Sequence, residues 1–138
     1  MTNLSLAQSY LHKALARMKL LPVLFGEQDY SDVIREAQEI VELSLKGMLR
    51  QVGIEPPKWH DVGGLLIDHR ERLAPEPPET LERLARISKW LRKERELSFY
   101  GDIDFIPDEE YDEADAERAM TDADFVVAAA QRLIEHAR

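Results

Sequence analysis

The stretch SDVIREAQEIVELSLKGMLRQVG, residues 31–53, decides the fold class. Ile34, Ala37, Val41, Leu45, Met48, Leu49 and Val52 recur mostly at intervals of three and four residues. That is the 3.6-residue period of an amphipathic α-helix and not the alternation of a strand. Ser31 offers an N-cap hydroxyl ahead of the stripe, and Gly53 with Pro56 and Pro57 behind it stops the helix.

The same period extends to both sides. Upstream, Leu4, Ala7, Leu11, Ala14, Leu15 and Met18, with Tyr10 beside them, predict a first helix that Pro22 should end. Downstream, Asp61 is placed to cap a shorter helix carrying Val62, Leu65, Leu66 and Leu73, weakened by the pair Gly63–Gly64. A turn over 74–78 leads into a fourth helix, 79–98, with Leu81, Leu84, Ser88 and Leu91 as its core positions. After a loop between Gly101 and Pro107, a long last helix starting near Tyr111 or Asp112 carries Ala116, Ala119, Met120, Ala123, Val127, Ala130 and Ile134. No segment alternates as a strand does and no fixed-period repeat is visible. The expected fold is all-α, a mostly antiparallel four- to five-helix bundle forming one domain over residues 1–138.

Composition limits the function classes. With 44% hydrophobic residues, 6 Gly and 7 Pro, the chain has apolar material for a core and too few breakers for disorder. It has no cysteine, which excludes disulfides, a thiolate nucleophile and Cys-based zinc sites. The N-terminal stretch interrupts its apolar residues with charges, so a soluble, cytoplasmic protein without a membrane segment is expected. The net charge of −9 argues against coating nucleic acid through the overall field. Charge is unevenly spread: residues 102–124 hold eleven acids and a single base, Arg118, whereas residues 80–98 hold six bases against three acids. Such a basic helix face is ordinarily solvated and otherwise an anion or nucleic-acid contact.

Several polar residues depart from a plain bundle. Gln38, Glu42 and Lys46 stand at i, i+4 and i+8 beside the apolar stripe of the second helix. They read as a solvated ion-pair stripe or as one wall of a polar cleft. Arg95 falls in line with Leu84, Ser88 and Leu91, on the core side of the fourth helix. An arginine there keeps its charge and needs an acid, a carbonyl or a bound anion, or else it marks a frayed helix end. Glu42 is its nearest partner in chemical logic, and the two are expected within side-chain reach. His60 next to Asp61 suggests metal chemistry, but His12, His69 and His136 stand at no ligand spacing. Helix capping by Asp61 is the expected reading, with no metal and no cofactor. Trp59 and Trp90 read as core or edge aromatics.

The second helix, the run Lys58-Trp59-His60-Asp61 with Leu65 and Leu66, and the run from Arg95 to Asp102 (RELSFYGD) together resemble the HEPN family, the higher eukaryotes and prokaryotes nucleotide-binding domain. The likeness covers nearly the whole chain, from Ala7, Tyr10, Leu11 and Ala14 to the small-residue last helix. It implies a helical bundle that commonly dimerises. Many HEPN proteins are metal-independent ribonucleases whose site is an Arg, four to six residues, then a His, paired across a dimer. Here, after four intervening residues, Arg95 is followed by Tyr100 and no His stands in the motif's range, while Arg132 and His136 are separated by only three. The general acid/base that would assist a ribose hydroxyl is missing, and a tyrosine with a pKa near ~10 replaces it poorly.

Two readings follow from the resemblance. One is a non-catalytic nucleotide-binding or regulatory module, a homodimer working with a minimal nucleotidyltransferase in a toxin–antitoxin-like system. In it, Gln38, Glu42, Lys46 and Arg95 form a local site for nucleotide or RNA phosphate. The other is a degenerate ribonuclease toxin in which Arg95 acts with Tyr100 or His60. The small-residue face of the last helix, able to dock closely on a second copy, adds a reason to expect the dimer.

Overall fold

The computed structural model describes residues 3–56, 58, 62–74, 76–99 and 110–135, with side chains from 5 to 94 and from 110 to 135 within those spans. Among the described residues, four long helices, α1 (Asn3–Met18), α3 (Tyr30–Gln51), α5 (Pro78–Phe99) and α6 (Glu113–Glu135), are joined by two short ones, α2 (Leu20–Gly26) and α4 (Val62–Asp68). Among the described residues there is no strand. The expected all-α bundle is what forms.

The first connection differs from the sequence expectation. α1 ends at Met18, with the Lys19 N–H bonded back to the Ala16 carbonyl at 3.3 Å. Pro22 does not end that helix; it is the third residue of α2. In a first turn the backbone N–H has no intrahelical acceptor, so proline removes nothing there. Ser31 does not cap α3 either. The N-cap is Asp29, whose carboxylate accepts the Asp32 N–H at 3.4 Å and the Ser31 hydroxyl at 3.3 Å. A carboxylate caps and also complements the helix dipole, and it starts the helix before Ser31.

The other end of α3 stops as expected. Gly53 takes φ 82°, its N–H donates to the Arg50 carbonyl at 3.1 Å, and the Ile54 N–H donates to the Leu49 carbonyl at 2.9 Å. This pair of bonds needs a left-handed residue, which glycine adopts without steric cost.

Three other helices enclose α3. Gly47 brings α1 and α6 close: a Cβ at that position would stand 3.4 Å from the Ala7 carbonyl oxygen and 3.2 Å from Ile134 Cδ1. At the opposite end Arg17 Nη1 bonds Glu36 Oε1 at 3.0 Å, so α1 and α3 run antiparallel. α5 and α6 also run antiparallel, since Trp90 meets Asp122 and Arg83 meets Phe125. The exception is α3 with α6, which pack as extensively as α3 with α1. Ile34 shares a cleft with Tyr111 and Asp115, and Gly47 meets Ile134, so these two helices are parallel. They are the second and fourth of the described long helices, and α5 between them returns in the opposite direction.

The small residues of α6 explain that intimacy. Ala116, Ala119, Ala123, Ala129 and Ala130 have no exposed surface. Without long side chains in the way, α6 settles onto α3 and α1. This corrects one expectation: the alanine face is consumed inside the chain and offers no flat surface to a second copy.

α4 is shorter than expected, and Leu73 reaches the core from the turns that follow it. The Gly63 position has a reason. A Cβ there would lie 2.9 Å from the Ala85 Cα, so α4 lies directly against the α5 backbone. On α5 the expected positions Leu81, Leu84, Ser88 and Leu91 are all buried.

Candidate functional site

The polar stripe of α3 sinks as it runs toward the helix N-terminus. Lys46 and Glu42 keep 28% and 22% of their side chains exposed and hold an i,i+4 ion pair at 3.9 Å. Gln38, one turn before Glu42, is only 3% exposed. Its Oε1 is buried with no hydrogen-bond donor among the described residues. The ion pair is the one the solvated reading requires, and it is worth a few tenths of a kcal/mol, about 0.3–0.5. A buried, unsatisfied amide carbonyl at its inner end is not part of that reading.

The backbone of α5 carries position 95, one residue after Glu94, and Glu94 lines the same cleft as Ile34. Gln38 and Glu42 stand four and eight residues further along α3, about 6 and 12 Å at 1.5 Å per residue. The side chain of Arg95, and Tyr100, His60, Asp61 and Trp59, lie outside the described residues. The expected contact of Glu42 with Arg95 lies outside them as well. The structure therefore groups Gln38, Glu42 and Lys46 on one helix.

A second polar cluster joins α5 to α6. Trp90 Nε1 donates to Asp122 Oδ2 at 2.9 Å, and the Arg118 guanidinium stacks 4.0 Å above the Trp90 ring while its Nε lies 3.9 Å from Asp122 Oδ2. Arg118, the lone base of the acidic segment, is thereby employed in cation–π and ionic contact. Its isolation in that segment was the signal that could have singled it out. Next to it a cleft of about 260 Å³ is lined by Ile34, Glu94, Glu110, Tyr111 and Asp115, together with Trp90 and Arg118. The Tyr111 hydroxyl donates to Glu94 Oε2 at 2.7 Å. Burial first, then that bond and the charges of Glu94, Asp115 and Glu110, push the phenol well above its ordinary pKa. A tyrosine held protonated in this way is a poor proton acceptor.

Arg132, the arginine of the Arg132–His136 spacing, binds Glu76 through both of its carboxylate oxygens. Sequence reading missed Glu76, a buried acid in the turn before α5. Among the described residues no group of three or more His, Asp or Glu is placed to hold a metal ion. Among them, too, no helix is long and apolar enough to cross a membrane.

The family model described as HEPN domain matches residues 7–133 of the chain. The chain belongs to the HEPN family. Among the described side chains the match runs from the first buried residue of α1 to the next-to-last buried residue of α6, so it spans nearly the whole described bundle of this HEPN domain. No curated protein matches the sequence. Membership places the chain among nucleotide-binding or ribonuclease-like modules, and HEPN domains often dimerise.

Proposed function

We propose that this HEPN domain is a non-catalytic nucleotide-binding or regulatory module. It works as a homodimer in the cytoplasm with a minimal nucleotidyltransferase in a toxin–antitoxin-like pair. The observation that carries the binding reading is the α3 stripe, which ends in a buried polar group with no partner among the described residues. Arg95 contributes the phosphate contact from α5, a planar fork that takes two oxygens at once. Gln38, Glu42 and Lys46 form the opposite wall.

Support for the non-catalytic part comes from the sequence: no histidine follows Arg95 within six residues, and the next one is His136. Without a group that exchanges protons near neutral pH, attack by a ribose hydroxyl lacks its base.

Titration of a fluorescent nucleotide into wild type and Arg95→Ala, alongside an RNA cleavage assay on both, tests this reading. Saturable, salt-sensitive binding in wild type that Arg95→Ala abolishes, with RNA left intact, is the expected result. Cleavage that disappears in Arg95→Ala would replace it with the ribonuclease reading, in which Tyr100 or His60 moves the proton. Mixing with the candidate nucleotidyltransferase and measuring the mass of the complex tests the partner.

A further inference from the structure

The outward face of α2 carries features that nothing inside the chain uses. Leu20 is 45% exposed and Val23 62%, the exposed large hydrophobic side chains among the described residues, and they stand about one turn apart. Lys19 and Glu27 are exposed just beyond the two ends of α2, and neither holds an ion pair among the described residues. Lys19 has φ −69° and ψ −19°, and the Glu27 N–H donates to the Val23 carbonyl at 3.1 Å, so the helical path covers 19–27. At ~100° per residue, Lys19, Leu20, Gly26 and Glu27 all fall within about 60° of Val23. Leu21, on the other side, is buried.

Gly26 is the informative member of this face. A Cβ there would meet nothing within 4 Å, and its φ is not positive. Neither crowding nor backbone conformation within the chain calls for glycine, a residue that weakens a helix. What glycine leaves is room above the helix surface for a side chain from outside.

The face is also complementary to itself. At i, i+4 and i+8 it reads cation, apolar, anion: Lys19, Val23, Glu27, with Val23 midway. A two-fold axis at Val23 reverses that order, so each Lys19 meets the partner's Glu27 and each Leu20 lies over the partner's Gly26. Ridges of i±4 residues pack side by side in the commonest class of helix contact, crossing at about −50°. A polyanion would be repelled by Glu27 and a polycation by Lys19, whereas a second copy satisfies both ends with one patch used twice.

We propose that α2 is the pairing face of the homodimer, packing antiparallel on α2 of a second copy of this chain about a two-fold axis at Val23. This rests on the homodimer reading above and names the surface it uses. A helix of 7 residues covers less than the about 800 Å² per partner of a standard interface, so the pair is weak and its population depends on concentration.

Sedimentation equilibrium of the whole chain at low ionic strength, over about 10 μM to 1 mM, tests this. Wild type is expected to pass from the mass of one chain to that of two. Lys19→Glu and Glu27→Lys each set like charges against each other at both ends, and each is expected to weaken association by at least about tenfold. An equimolar mixture of these two variants joins a Lys to a Glu at each end again, and it should associate within about threefold of wild type. Val23→Asp, which puts two carboxylates at the axis, should sediment as one chain. All three side chains are exposed, so the helical circular dichroism should stay that of wild type. A wild-type dimer that persists in all three variants overturns the assignment to α2 and leaves the homodimer standing. Failure of the mixture to associate overturns the antiparallel pairing. A single-chain mass for wild type at every concentration overturns the homodimer reading itself.

Discussion

Arg132 on α6 and Glu76, in the turn leading into α5, form a two-point pair, Nε to Oε1 at 3.0 Å and Nη2 to Oε2 at 3.1 Å. Glu76 is 6% exposed and Arg132 keeps about half of its side-chain surface. The pair ties the α4–α5 connection to the C-terminal end of α6, and it commits Arg132 to structure.

Removing the two partners should have unequal effects. Arg132→Ala strands a buried carboxylate, whereas Glu76→Gln leaves an exposed-side arginine that water can solvate. The first is expected to cost about 2 kcal/mol, less than a fully buried pair because Arg132 is half in water, and the second about 1. Urea denaturation of both variants measures the difference. Equal losses would mean that Glu76 is solvated in spite of its burial.

Gly63 and Gly47 both sit at helix contacts, but their neighbours differ in kind. An added Cβ at Gly63 meets the Ala85 backbone at 2.9 Å, and at Gly47 it meets the terminal methyl of Ile134 at 3.2 Å. Backbone cannot swing aside, while an isoleucine methyl can. Gly63→Ala should destabilise by about 1–3 kcal/mol. Gly47→Ala should be close to neutral, because the gain in helix propensity, about 1 kcal/mol, offsets the small displacement. Thermal unfolding of the two variants distinguishes them.

Ala123→Leu probes the approach of α6 to the bundle. The residue has no exposed surface, so the three extra heavy atoms of leucine cannot be housed without moving the helix. A loss of about 1–3 kcal/mol is expected from overpacking. Sedimentation should show the same mass for wild type and variant. A dimer that dissociates with an unchanged fold would place the alanine face between copies instead.

Tyr111 makes stability depend on pH in the alkaline range. Its pKa is raised in the folded state, by burial and then by Glu94, so the fold favours the neutral phenol. The stabilisation is complete below the unfolded value of ~10 and is lost as pH rises above it toward the higher folded value. Wild type should therefore lose stability relative to Tyr111→Phe between about pH 9.5 and 11. At neutral pH the variant should be weaker by about 1 kcal/mol for the missing bond to Glu94. Denaturant melts of both proteins across that range give the difference directly, and parallel curves would exclude Tyr111 as its source.

How much was legible in the sequence depended on whether the cause was local. The apolar stripes of α3, α5 and α6 were readable because the direction of a side chain around a helix follows from residue spacing alone. Ser88 as a core position and Gly53 as the helix stop were readable for the same reason, and both are found. Only the tertiary structure decided what each stripe meets. Periodicity shows that the alanines of α6 share a face, but not that this face is filled by α3 and α1. It places Gln38 beside the apolar stripe, but its burial depends on how closely the neighbouring helices enclose α3. Glu76 and Arg132 are 56 residues apart, and nothing in either neighbourhood marks them as partners. Faces come from the repeat of the chain, whereas partners come from the packing of several faces at once, a property that no single segment carries.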